Sequence, residues 1–425
     1  MGAPTADQDP RPRRLGRRVI AIALLALTGS APITAQPAGK IDLRRMRPTG
    51  LLVDAYSYMA PPHNAYYFHH IDRLGFRIDR VKRSGPVSPL VTATRSVEPR
   101  YSFEGREIGL EEYLTRNQVT GFLVLAQDSV LVERYLHGST RASRFVSQSV
   151  GKSVVSILVG IALEEGKLRS VDDRVVDYLP ELAESGYRDV TIRHALQMAT
   201  GVGYSEDYRD STSGAARIGQ ALVTGEPQFF DFVRSMRPTA VRPGTAFQYQ
   251  SVNTQLLGEL LERVTGMSLS RWAQQTLWSR LGAEADAFFH QAKPQRSSCA
   301  FACFNATLRD YGRVGLMMLR GGALGGRRIV SEGWVRQSVT PHVDPTAAGA
   351  ASGRPAFGYG YQWWLPPNPD GAFMAIGIYG QAIYVNPARR VVVVQTSAWP
   401  TPLGDGTFGQ ERALMFDAVA KAAGR

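Results

Sequence analysis

Ser149-Val150-Gly151-Lys152-Ser153-Val154-Val155-Ser156-Ile157-Leu158-Val159-Gly160-Ile161-Ala162-Leu163 is the stretch on which the reading of this chain turns. It is apolar on nearly every face of a helix, which marks a helix buried on all sides. Gly166 follows as a helix stop. Only its first turn is polar, and there Ser149 and Lys152 stand at i and i+3, on one face. A solvated pair would be out of place at the mouth of such a helix. The bland alternative is an N-cap serine beside a surface lysine.

Upstream, Phe122–Leu125 and Val130–Tyr135 are β-rich runs separated by Gln127-Asp128-Ser129, which predicts a hairpin. Downstream, residues 170–340 are mostly helical in pattern, and Gln255–Val264 has apolar residues at helical spacing ahead of Gly266. After Gly358 strand patterns return at Tyr359–Leu365, Phe373–Ile378, Ala382–Val385 and Val391–Thr396, and an amphipathic helix, Glu411–Ala423, ends the chain. The expected fold class is α/β (α+β). One antiparallel sheet is built from both termini and flanked by the buried helix and the last helix, with a mostly helical insertion at about 170–340.

Residues 1–35 read as a secretory signal peptide: arginines from Arg11 to Arg18, an apolar run Val19–Thr28, then small residues ending at Ala35, after which cleavage is expected. The arginine pairs leave the general secretory and twin-arginine routes both open. Residues 36–105 are Pro-rich and irregular, an extended arm, and 106–425 form the main domain. A periplasmic or secreted protein follows, with no stable membrane insertion once the leader is removed. The formal charge of +12 is mostly scattered arginine, without the basic tracts or aromatic interleaving that nucleic-acid binding requires. Oligomeric state is not legible.

Several chemistries lose support. There is no G-x-S-x-G elbow, no H-E-x-x-H and no Gly-rich phosphate loop, so no metal or cofactor is expected. Cys299 and Cys303 are compatible with a short-loop disulfide or with a reduced core pair. What remains is nucleophilic catalysis by Ser149. Its proton could pass to Lys152 if burial lowers the pKa of the amine, and the free N–H groups of a helix start would favour an oxyanion. Pro243-Gly244-Thr245-Ala246-Phe247-Gln248-Tyr249-Gln250-Ser251-Val252-Asn253 leads into the second buried helix. It offers Tyr249 as a proton shuttle, against the commoner fate of a half-buried core aromatic.

Ser149-x-x-Lys152 followed by Tyr249 resembles the serine β-lactamase and penicillin-binding-protein superfamily, class C-like branch. Gly166-Lys167-Leu168, Val171-Asp172-Asp173, Tyr178-Leu179-Pro180, Thr191–His194, Met198–Gly201, Asn305–Tyr311 and Gly377–Gln381 agree with it, so the resemblance runs from about Leu110 to the C-terminus and makes 106–425 a β-lactamase-related catalytic domain. Two departures narrow it. The chain has Tyr249-Gln250-Ser251 where class C enzymes have Tyr-x-Asn. It also has Ala372-Phe373-Met374 where they have Lys-Thr-Gly, whose cation binds the antibiotic's carboxylate. The pattern is similar to 6-aminohexanoate-dimer hydrolases and related esterases, which often carry His where this chain has Tyr379.

The resemblance implies an acyl-enzyme on Ser149, a proton network through Lys152 and Tyr249, and an oxyanion hole from the N–H of Ser149 with one near Ala375 or Ile376. It places Ser251 near Lys152 or the substrate. Tyr208, Trp363 and Trp364 are candidate pocket walls. The expected activity is hydrolysis of a small-molecule amide or ester substrate. A D-amino-acid peptidase or weak β-lactamase is the alternative within enzymes, and a non-catalytic binding protein of the same fold the alternative outside them.

Overall fold

Val119–Ala126 and Val391–Ser397, from opposite ends of the chain, pair antiparallel at the centre of the main sheet, with Val392 opposite Leu125 and Val394 opposite Leu123. They are seen in a computed structural model that describes residues 57–341, 357–404 and 406–424. The predicted leader 1–35, its cleavage point after Ala35 and the first part of the arm lie outside the described residues. Both central strands lack polar alternation because both faces of the sheet are covered. The eight strands run in the order Gly358–Tyr359, Trp364–Leu365, Phe373–Ile376, Ala382–Asn386, Val391–Ser397, Val119–Ala126, Ser129–Tyr135 and Val91–Thr92. Neighbours are antiparallel except the last, which lies parallel to Ser129–Tyr135.

The two faces are cut by the period-2 alternation of each strand. Phe122, Val124, Val391 and Val393 share a cluster with Met415, Phe416 and Val419 of the C-terminal helix Thr407–Ala423. Leu123, Leu125, Val392 and Val394 face the other way. That second face is covered chiefly by the helix Leu308–Leu319, where the sequence pattern had suggested the Ser149–Leu163 helix. Gly312 and Gly315 explain the close fit. A Cβ on Gly312 would fall 2.8 Å from a Leu123 methyl, and one on Gly315 would fall 2.5 Å from Val392.

The helix Val150–Glu164 is buried from Val150 through Ala162 and packs on the second buried helix, Ser251–Thr265, touching the sheet at Phe373–Ile376. A second sheet, not anticipated, joins Arg77–Val81, Ala287–Gln291, Phe304–Ala306 and Phe145–Val146. Its strands are short and two of them sit inside the helix-rich region, so no run is long enough to show a period of two. The arm therefore contributes strands to both sheets. The strand expected over Tyr359–Leu365 is instead a tight hairpin, with Gln362 at φ 64° in the turn. Among the described residues no helix is long and apolar enough to cross a membrane.

Candidate active site

Ser149 stands where the strand Phe145–Val146 bends into the buried helix. Gln148, immediately before it, has φ 45°, a left-handed conformation that costs a non-glycine residue energy and tends to mark functional turns. Lys152, one turn on, is 1% exposed. Its Nζ lies 2.7 Å from Ser149 Oγ and donates to the Phe301 carbonyl at 2.8 Å. Burial lowers the amine from its usual value to about 8, and the Glu206 carboxylate acts in the opposite direction. Near neutrality the amine is therefore within reach of its neutral form, which has a lone pair for the serine proton.

Tyr249 reaches the same point from the segment just before the other buried helix, Ser251–Thr265. Its ring lies 5.3 Å from Lys152 Nζ and stacks on Trp364 at 5.3 Å between ring centroids, with a 28° interplanar angle. Ser149, Lys152 and Tyr249 are thus brought together from the start of one buried helix and the segment leading into the other.

Other candidates fall differently. Ser251 does not bond to Lys152. Its N–H and hydroxyl both donate to Glu206, at 2.7 and 2.6 Å, and the Tyr208 hydroxyl donates to the same carboxylate at 2.7 Å. A carboxylate at the N-terminus of Ser251–Thr265 is favoured by the free amides and dipole of that end. Burial and the Glu206 charge push the Tyr208 phenol well above its ordinary value, so it stays a donor. Trp364 lines the cavity, whereas Trp363 is fully buried with its ring edge-on to Phe373. Successive strand residues point to opposite faces, and only one of the pair could line a pocket. The same alternation sends the Ala375 side chain into the core beneath the sheet and leaves Ile376 at the cavity.

Beyond Ile376 the cavity wall continues through Gly377 and Ile378. The N–H groups of Gly377 and Tyr379 are already committed, to Gln381 O and Pro402 O, each at 2.8 Å. A backbone donor near Ser149 therefore belongs at Ile376 or Ile378 and not at Ala375. Two participants went unrecognised in the sequence. Glu206 is one of three carboxylates, with Asp207 and Asp210, in a polar loop, and Phe301 contributes its carbonyl, which no residue-type pattern reports. Cys299 and Cys303 are joined as a disulfide.

The cavity is about 830 Å³ in volume, enough for a small organic substrate. Ser149 and Tyr249 lie at its floor. One wall runs from Ser205 to Arg209 and the other from Ile376 to Ile378, with Thr401–Gly404 at the rim. Glu206, Asp207 and Arg209 are the charged side chains lining it among the described residues. Among the described residues no lysine or arginine lines the Ile376–Ile378 side.

A family model described as Beta-lactamase matches residues 111–414. The chain is 32% identical over 372 residues to a 6-aminohexanoate-dimer hydrolase of Paenarthrobacter ureafaciens, covering 85% of this chain and 92% of that protein. It is 30% identical over 160 residues to esterase EstB of Burkholderia gladioli, covering 35% and 39%. Among solved structures, a Bacillus anthracis protein assigned as a 6-aminohexanoate-dimer hydrolase superposes with a TM-score of 0.77 at 23% identity, over 86% of this chain and 96% of that one.

Proposed function

The chain belongs to the beta-lactamase family, and from that premise we propose that it is a serine hydrolase cleaving small linear amides or esters through an acyl-enzyme on Ser149. The observation that carries this reading is the 2.7 Å approach of a buried lysine amine to Ser149 Oγ at the floor of an open cavity.

The steps follow from the groups present. The Ser149 oxygen attacks the substrate carbonyl carbon as its proton moves to the neutral Lys152 amine. The carbonyl electron pair becomes an oxyanion, received by the amides of Ser149 and of Ile376 or Ile378. The carbon–nitrogen or carbon–oxygen bond then breaks, the leaving group takes the Tyr249 proton, and the phenolate recovers a proton from the Lys152 ammonium. Water reverses the sequence on the acyl-enzyme and releases the acid. The hydrogen bonds of Ser251 and Tyr208 to Glu206 hold the Ser205–Arg209 wall of the cavity.

The shape of the site favours neutral or cationic linear substrates. Glu206 and Asp207 outnumber Arg209 at the cavity, and no cation stands on the strand opposite Ser149, so β-lactams and other substrates held through a carboxylate there are expected to be poor. The 6-aminohexanoate-dimer hydrolase relative supports a linear amide, and the esterase relative an ester. We place the enzyme outside the cytoplasm, in keeping with the leader-like residues 1–35 and with a disulfide in a two-cysteine chain. The mature protein should begin at Gln36, which N-terminal sequencing of the exported form tests.

Labelling with a fluorophosphonate tests the nucleophile. The wild type should label on Ser149 and Ser149→Ala should not; equal labelling of the two would overturn the assignment. A panel of p-nitrophenyl esters and linear amide dimers then separates esterase from amidase, with little or no turnover of nitrocefin expected.

A further inference from the structure

The Cys299–Cys303 disulfide closes a turn, Ala300-Phe301-Ala302, wedged between the Ser251–Thr265 helix and the active-site floor. Both cysteines are fully buried. The turn holds the residues on either side of the nucleophile, Lys152 and Ser147. Phe301 O accepts from Lys152 Nζ at 2.8 Å, and Ala302 O accepts from the hydroxyl of Ser147, two residues before Ser149, at 3.1 Å. The Ala300 N–H is tied to Gln255 Oε1 at 3.0 Å, and Cys303 O accepts from the His290 N–H at 3.1 Å.

The Phe301 carbonyl matters for a stereochemical reason. A neutral amine has two N–H donors and one lone pair. With one N–H held by Phe301 O, rotation about the Cε–Nζ bond is restrained, and the lone pair can stay on Ser149 Oγ. Without that acceptor the amine rotates among several orientations, and only some of them present the lone pair. A cross-link spanning four residues constrains an unfolded chain less than one closing a long loop, so its local effect on the folded turn is the one to examine. Misplacing a reacting group by about 1 Å can cost on the order of 100-fold in rate.

We propose that the Cys299–Cys303 disulfide is a positioning element for the reaction, clasping the turn whose Phe301 carbonyl orients Lys152 toward Ser149. This rests on Ser149 and Lys152 acting as proposed above. The disulfide touches neither substrate nor reacting atoms and acts through the lysine.

The test compares wild type with C299A/C303A. The expected result is a fluorophosphonate labelling rate of Ser149 at least about tenfold lower per folded molecule, with kcat on the preferred ester lowered to match and KM nearly unchanged. A role in stability alone would lower Tm and leave labelling per folded molecule at the wild-type rate, and that outcome overturns the proposal. If C299A/C303A does not fold, a second variant decides. One glycine inserted between Ala302 and Cys303 keeps the disulfide and displaces the same carbonyl, and it should show the same loss of kcat at constant KM; wild-type rates there also overturn the proposal. Failure of wild type itself to label on Ser149 would instead sink the catalytic reading on which this one stands.

Discussion

The protonation of Lys152 should write itself into the pH dependence of the enzyme. Burial sets the amine at about 8, so about one-tenth of it is neutral at pH 7, against about one part in 2,500 for an amine at the ordinary value of ~10.4. Removing the amine from water thus supplies roughly 200-fold more free base at neutrality. Because the neutral form is the active base, kcat/KM should rise about tenfold per pH unit below about 7 and level off above about 8. Glu206 enters with a definite sign. Its charge favours the ammonium and raises the amine, so Glu206→Gln should move the acid limb to lower pH. The glutamine can keep its carbonyl on the Ser251 N–H and turn its NH₂ to the hydroxyls of Ser251 and Tyr208, which are able to accept; the main change is then the loss of charge. The assay is initial-rate hydrolysis of a p-nitrophenyl ester from pH 5.5 to 9.5, with Ser149→Ala subtracted as the blank. A wild-type limb near pH 10, a limb in the carboxylate range, or an upward shift in Glu206→Gln would refute this account of the base.

Two further substitutions probe the site and its support. Tyr249→Phe keeps the ring on Trp364 and under Lys152 and removes only the hydroxyl. It should lower kcat by about 100-fold or more while thermal melting moves by less than about 1 kcal/mol equivalent; near-wild-type kcat would remove Tyr249 from the proton path. Gly160→Ala would place a Cβ 2.5 Å from the Trp334 indole nitrogen, in a part of the buried helix remote from Ser149. Overpacking there should cost about 1–3 kcal/mol in urea unfolding, with KM unchanged, and an unaltered midpoint would show that Trp334 yields freely.

Legibility from sequence followed the kind of signal each residue leaves. Ser149 and Lys152 stood out because a polar pair at i, i+3 opens a helix otherwise apolar all round. Tyr249 stood out less, by its place on a polar segment before a second buried helix. The central strands could be read because each carries an unbroken apolar run, Phe122–Ala126 in one and Val391–Val394 in the other. The second sheet escaped notice because Phe145–Val146 and Phe304–Ala306 are too short to display a period. Trp363 and Trp364 are neighbours of one type, and which of them meets the cavity depends on the phase of a two-residue strand folded into a hairpin. Glu206 reaches Ser251 across 45 residues of chain, a pairing set by tertiary structure and not by local pattern. Phe301 acts through a backbone carbonyl, which every residue has.

The pairing of Val119–Ala126 with Val391–Ser397 has a consequence for how the molecule is made. The strand that completes the middle of the sheet, Val391–Ser397, is synthesised long after its partner Val119–Ala126. Until it arrives, Val119–Ala126 presents an apolar, unpaired edge, the kind of surface that recruits a strand from a neighbouring chain. Contacts between segments so far apart in sequence also form slowly. A chain cut short before Val391 would therefore be a sticky fragment and not a weaker enzyme, and a holdase that shields residues 119–126 during synthesis should raise the yield of active protein more than it raises the amount made.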